Sequence, residues 1–380
     1  MISLNEPNID SSDLKEIIST VKDNWVSTAG PIVKKLEDKI SFFVKSKKTV
    51  SFINGTSALQ IALKLIGASE KTEIIAPTIT FVAPINAIIY NRSNPIFMDS
   101  DKFCNIDVNK TIEFLEKNTF LKSGSCYNKK TKKKIVGIVV VHVWGNAVYL
   151  DELIKICRKK NIKIIEDASE SFGTQYKFGK FKKKYTGVVG DIGVYSFNGN
   201  KIITGGCGGA LVTNNLKYAK QAKYLSTQAI DNADFYIHNN IGYNFRLASI
   251  NAALCLSQLK KVNKFIENKK KIHQIYKKKF LKSKKFELIE TPFYANNNYW
   301  QNVILCQNHN LKKIIVKLKK SKIQARAMWL PNHLQKSFKK FEKYKINNAN
   351  YLKDKVLCIP SSSNLTQRNI NKVVSILNND

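Results

Sequence analysis

Acidic residues are in short supply in this chain: 28 Asp and Glu stand against 63 Lys and Arg in 380 residues, a formal net charge of +35. Alone, that imbalance points to nucleic acid or an anionic surface as partner. A second scarcity argues against it. The excess is mostly lysine rather than arginine, strewn in short clusters such as KKTKKK (129–134) and KKK (182–184), and no element interleaves Arg with aromatics as base recognition requires. The charge therefore reads as a solvated lysine surface, with no nucleic acid and no membrane as partner. It will still draw in a polyanionic small molecule such as a nucleotide diphosphate.

Cysteine is sparse and unpatterned. The seven residues are odd in number and show no CxxC or Cys/His spacing of a metal site, so they read as reduced thiols filling space. The five histidines (His142, His238, His273, His309 and His333) are dispersed as well, and no metal is expected. No apolar run reaches the roughly 20 residues of a spanning helix, and the opening MISLNEPNID lacks the basic and apolar parts of a secretion signal. A cytoplasmic protein is expected. Internal repeats, low-complexity blocks and Pro/Ser-rich linkers are missing too.

What is present is a chain 43% hydrophobic, enough for a sizeable core and, at this length, for two domains. From about residue 12 to 195, β-branched runs alternate with amphipathic helical stretches. The runs are TVSFI (49–53), EIIAP (73–77), PIFMD (95–99), IVGIVVVHV (135–143), IKIIED (162–167) and DIGVYSF (191–197); SALQIALKLIG (57–67) and DELIKICRKKN (151–161) typify the helices. This pattern predicts an α/β fold with a largely parallel sheet covered on both faces, its ligands at the carboxyl ends of the strands. A long lysine-rich helical tract follows residue 250, which sets the expected boundary between a large domain (1–250) and a smaller C-terminal α/β domain (251–380).

Three features fall at strand ends. In FINGTSALQIAL (52–63) a strand runs into Gly55, Thr56 and Ser57 at the start of a helix, an anion site suited to phosphate or an ordinary N-cap. In IIEDASESFG (164–173), Glu166 and Asp167 end a buried strand; a carboxylate there holds a protonated heterocyclic nitrogen or caps the next helix. In SFNGNKIITGGCGG (196–209), Lys201 follows a strand and precedes glycines that leave room for a bulky ring, or it belongs to a plain turn. An amine withdrawn from water is the more easily deprotonated, as imine formation requires. Together the three are the parts needed to hold pyridoxal phosphate (PLP).

The chain closely resembles the sugar aminotransferases of the DegT/DnrJ/EryC1/StrS family over nearly its full length. The resemblance runs through WVSTAGP (25–31), NGTSAL (54–59), PTITFVAPINAI (77–88), HVWGN (142–146), EDASESFG (166–173), GDIGVYSFNGNK (190–201), GYNFRL (242–247) and RAMWLPNH (326–333). It implies the aspartate-aminotransferase-like fold, PLP-dependent transferase fold type I, and PLP cycling with its pyridoxamine form (PMP). It implies Lys201 as the lysine in imine linkage with the cofactor and Asp167 as partner of the ring nitrogen. Thr56, with Gly55, Ser57 and Ser196, would hold the phosphate, and Phe81 would stack on the ring. Asn244 would reach the cofactor of a second subunit, so that a homodimer shares its sites.

Glu170 departs from the commoner Gln or His and would lie near the cofactor's phenolic oxygen. Cys207 stands where a small residue is usual. Glu170, the NGNK turn (198–201), HVWGN and the tail CIPSSSNLT (358–366) together resemble most the subgroup making UDP-linked 4-amino-4,6-dideoxy-N-acetylhexosamines for legionaminic acid or lipopolysaccharide. The implied reaction moves an amino group from L-glutamate to C4 of a nucleotide-linked 4-keto-6-deoxysugar. Transfer at C3, or a GDP-perosamine-synthase-like enzyme, is the alternative, and a basic nucleic-acid or anion-binding protein the non-enzymatic one. Trp25, Ser27, Thr28, Phe235, His238, Arg326, Trp329 and His333 are candidates for the sugar-nucleotide pocket, each with a plain reading as core, surface ion pair or satisfied polar group.

Overall fold

A computed structural model describes residues 1–307 and 310–378, so His309 lies outside the described residues. Seven strands form the body of the main sheet: β1 Lys48–Phe52, β2 Thr72–Pro77, β3 Asn94–Met98, β4 Lys134–Val141, β5 Lys163–Asp167, β6 Ile192–Ser196 and β7 Gly209–Thr213. Their order is β1-β7-β6-β5-β4-β2-β3. The pairs β2–β3, β2–β4, β4–β5 and β5–β6 are parallel, and only β7 runs against both of its neighbours. A hairpin, Thr119–Lys122 with Ser125–Asn128, adds to β4 antiparallel, and Lys343–Tyr344 pairs with the β3 edge.

Every strand of this body except β7 coincides with an apolar run in the sequence. The register explains why those runs are apolar throughout. In β4, Val139 and Val141 point into one buried cluster while Ile138 and Val140 point into the other, because alternate side chains leave opposite faces and both faces are covered. Helix Pro31–Val44 buries Val33, Leu36, Ile40 and Val44 on the first side. Helix Asp151–Lys159 buries Leu153, Ile154 and Cys157 on the second.

A second, antiparallel sheet follows: β8 Phe286–Leu288, β9 Asn302–Cys306, β10 Arg326–Ala327 and β11 Val356–Ile359, in the order β8-β9-β11-β10. Helices Val262–Phe280, Leu311–Lys320 and Gln367–Asn378 supply the rest of its core. The lysine-rich tract is two helices, Ser249–Lys260 and Val262–Phe280. The break is at Lys261, whose amine is drawn to Asp13 at 2.6 Å and Asp10 at 3.0 Å. At the other end of the chain, Ile2 bridges Ile323 of this second unit. Among the described residues no helix is long and apolar enough to cross a membrane, and all seven cysteines are free thiols.

Candidate active site

The carboxyl ends of β5 and β6 and the helix start after β1 open on one cavity of about 620 Å³. Helix Gly55–Leu65 is capped by Asn54, whose side chain accepts from the Ser57 amide at 2.8 Å. Gly55 and Thr56 line the cavity, as does Ser196 at the end of β6. A Cβ on Gly55 would lie 3.1 Å from the Ser196 Cβ and 3.3 Å from the Ser169 Oγ, so the bare glycine keeps open a cradle edged by hydroxyls. Ser57 is buried in the same turn.

The two acids that end β5 have different tasks. Glu166 faces away from the cavity and accepts from His142 Nε2 at 2.9 Å and from the amides of Gly187, Val189 and Gly190 at 2.9, 2.7 and 2.6 Å. The Val148 amide donates to His142 Nδ1 at 3.1 Å, which puts the ring proton on Nε2, pointing at Glu166. Burial pushes the Glu166 carboxyl up, but these donors outweigh it and hold the group below the ordinary carboxylate range. Asp167 lines the cavity, and the Ser169 amide donates to it at 3.1 Å. Burial raises it above the ordinary value, with Ser169 and the Lys201 charge pulling the other way. A cation seated in the cavity beside Asp167 would relieve that burial.

Lys201 sits on a loop closed on itself. Its amide donates to Asn198 O at 3.0 Å, Gly205 N to Phe197 O at 2.9 Å, and Phe197 N to Gly208 O at 2.8 Å. Of the glycines that follow, Gly208 lines the cavity, whereas Gly205 and Gly209 make room for the protein's own backbone. A Cβ on Gly209 would fall 2.5 Å from Asn54 C and 2.6 Å from Gly55 N, and one on Gly205 would fall 2.8 Å from Asn251 O. The lysine loop is thereby pressed against the cradle turn. The amine, in a side chain 14% exposed, stands 3.5 Å from Glu170 Oε1 and 4.3 Å from the Trp300 ring centroid. Burial raises the Glu170 carboxyl, countered by Lys201 and by the Trp144 amide, which donates at 2.8 Å.

Aromatic rings form one wall. Trp144 and Trp329 stack at 5.7 Å, and Phe81 meets Trp329 edge-on at 6.5 Å. Trp144 adopts φ +56°, ψ +18°, a left-handed conformation costing on the order of 1–3 kcal/mol for such a residue. Arg326 also lines the cavity.

The other candidates lie elsewhere in the single chain. His333 is buried between Thr78 Oγ1 at 2.7 Å and Asn350 Oδ1 at 3.2 Å. His238 is exposed and held by Gln228 O at 2.9 Å. Trp25 and Phe235 are exposed; Ser27 offers its carbonyl to the Ser249 amide at 2.6 Å; Thr28 is half-buried and Asn244 exposed, and none of these lines the cavity. Sequence reasoning missed Trp300, Trp144, and Leu4 and Asn5 of the N-terminal segment, all of which line it. HVWGN drew notice only as a motif, and nothing in NNNYWQN marks Trp300.

The DegT/DnrJ/EryC1/StrS aminotransferase family matches residues 7–378. The chain is similar to GDP-perosamine synthase of Escherichia coli O157:H7, 30% identical over 91% of this chain and 89% of the relative. It is also similar to a UDP-4-amino-4,6-dideoxy-N-acetyl-beta-L-altrosamine transaminase of Campylobacter jejuni strain 81-176, 31% identical over 78% of this chain and 74% of the relative. In fold it matches Helicobacter pylori PseC, an aminotransferase of pseudoaminic acid biosynthesis, with TM-score 0.87 and 24% identity over 99% of this chain and 98% of that one.

Proposed function

We propose a function from one premise: the chain belongs to the DegT/DnrJ/EryC1/StrS aminotransferase family, whose enzymes depend on PLP. In our reading it transfers the amino group of L-glutamate to C4 of a nucleotide-linked 4-keto-6-deoxysugar, releasing 2-oxoglutarate. The observation that carries the reading is the convergence of the Lys201 amine, the Asp167 carboxylate and the cradle of Gly55, Thr56 and Ser196 on one cavity.

The residues fit the cofactor chemically. The cradle, with Ser57 beside it, suits a phosphate, Asp167 suits a cationic ring nitrogen, and Phe81, an exposed residue, lines the cavity with its ring. Bound there, PLP supplies the aldehyde that carries the amino group and the electron sink that labilises the donor's Cα proton. Lys201 Nζ takes that proton from glutamate Cα in the first half-reaction and delivers one to sugar C4 in the second. Asp167 keeps the ring nitrogen protonated throughout. Glu170 holds the lysine amine near the reacting carbon, and the Trp144–Trp329 wall keeps water off it. Arg326 meets the donor carboxylate or the diphosphate.

The second subunit is part of the proposal. Helix Ser11–Lys22 exposes Leu14, Ile18 and Val21 on one side, and Trp25, Phe235, Tyr236 and Ile241 are exposed as well. A copy of the same chain would cover such apolar surface and bring its Asn244 to the neighbouring cofactor. The position C4 is supported by the Campylobacter relative, named for a 4-amino-4,6-dideoxy sugar. The Escherichia coli relative favours a second reading in which the sugar is carried by GDP.

The test incubates the PLP-loaded protein with glutamate and a panel of 4-keto and 3-keto sugars linked to UDP, GDP or dTDP, followed by mass and NMR. Amination of a 4-keto sugar is expected, lost in Lys201→Ala. Conversion of a 3-keto sugar alone would move the reaction to C3, and no conversion at all would remove the function.

A further inference from the structure

Lys269 is 3% exposed, on helix Val262–Phe280, and among the described residues no carboxylate partners it. Its amine instead donates to three oxygens from three parts of the chain: Asn5 Oδ1 at 3.1 Å, Trp300 O at 3.0 Å and Ser361 O. Three acceptors and no donor fit a tri-protonated amine with every N–H used. Burial nevertheless draws its pKa down to about 7, so this is a costly place for a cation unless the oxygens it gathers matter.

What it gathers leads to the cavity. Asn5 also donates to Gln301 Oε1 at 2.7 Å, and Ser361 N binds Leu4 O at 2.7 Å, so residues 2–6 form a strap over the second sheet whose Leu4 and Asn5 line the cavity. The Trp300 amide binds Asn298 Oδ1 at 2.9 Å, and Asn298 in turn donates to Glu170 O at 2.9 Å. The Trp300 indole then does two things at the lysine loop. Its Nε1 donates to Asn200 O at 2.7 Å, and its face lies 4.3 Å from the Lys201 amine, in reach of a cation–π attraction.

We propose that Trp300 and Lys269 are positioning residues for Lys201. Trp300 holds both the turn before the lysine and the lysine's amine, and Lys269 locks Trp300 and the N-terminal strap to one another. The proposal rests on Lys201 being the lysine that takes PLP, and the test separates the two.

Lys269→Met, Trp300→Leu and Trp300→Phe are made in the full chain and loaded with PLP. Occupied sites are counted by borohydride trapping and peptide mass at residue 201. The single-turnover rate with glutamate is then followed, per trapped site, by visible absorbance. Lys269→Met and Trp300→Leu are expected to slow it about 10- to 100-fold, the range for a reacting group displaced by about 1 Å. Half-saturation by glutamate should not move. Trp300→Phe, which keeps a ring face but loses the Nε1 donor, should fall between them and the unaltered chain. Without cofactor, hydrogen exchange should quicken at residues 2–6 and 298–301 in Lys269→Met while the main sheet is unchanged. Unaltered rates per site in both Lys269→Met and Trp300→Leu would overturn the proposal and leave these residues a purely structural task. Should Lys269→Met fail to fold, Trp300→Phe and Asn5→Ala carry the same test. Absence of trapping at residue 201 in the unaltered chain would instead strike at the PLP assignment itself.

Discussion

Replacing two adjacent acids, Glu166→Gln and Asp167→Asn, should give opposite results, and the geometry sets the size of each. Glu166 Oε2 accepts from His142 and Gly187, and Oε1 from Val189 and Gly190. Glutamine retains one acceptor oxygen, so its NH₂ group must face one of those pairs, donor against donor. Two charge-assisted bonds at about 1.5–3 kcal/mol each give a loss of about 3–6 kcal/mol, a large share of the roughly 5–15 kcal/mol that holds a folded protein together. Asp167 has the reverse balance: burial raises it and the chain supplies little compensation, so Asp167→Asn should leave the cofactor-free protein as stable as before or more so. Its transamination rate should drop about 100-fold or more through loss of one preorganised charge.

The pH dependence follows with sign. Glu166 is held below its ordinary range, so its contribution is full above the unfolded-state value and is lost as pH falls through the folded-state one. Asp167, held above its ordinary range, is relieved by acid. Urea unfolding of the cofactor-free variants, followed by tryptophan fluorescence from neutral pH downward, measures both. A Glu166→Gln protein within about 1 kcal/mol of the unaltered chain, or an Asp167→Asn protein equally destabilised, would refute this division of labour.

Two further outcomes are expected. Gly55→Ala places a Cβ 3.1 Å from Ser196 and 3.3 Å from Ser169, tight enough to push both by tenths of an ångström; PLP dissociation, read by dialysis and absorbance, should become about tenfold more favourable, or about 1.4 kcal/mol, with little change in unfolding. Ile18→Lys, on the exposed apolar side of helix Ser11–Lys22, should shift the sedimentation profile toward monomer and reduce activity in proportion, and an unchanged dimer would remove that helix from the interface.

The parts of the site legible in the sequence are those whose chemistry fits in one short window. A strand that stops at Asp167, one that stops just before Lys201, and a helix opening at Gly55 can each be recognised from a dozen residues. Strand β7 was not legible because GALVT emerges directly from a glycine run and pairs antiparallel in an otherwise parallel setting. Which of Glu166 and Asp167 faces the cavity is settled by amides 21 to 24 residues further along. Trp300 was invisible for the same reason on a larger scale, since its partner Asn200 lies 100 residues away, and the link from Lys269 to Asn5 spans 264.

The contact between Gly209 and the Asn54–Gly55 backbone has a mechanical consequence. With no side chain between them, the strand that leaves the Lys201 loop and the turn that opens helix Gly55–Leu65 lie main chain against main chain, and neither can drift without dragging the other. The spacing between the Lys201 loop and the Gly55 turn is thus fixed by backbone packing. In a chain so rich in lysine, a side chain at Gly209 has nowhere to go without parting these two segments.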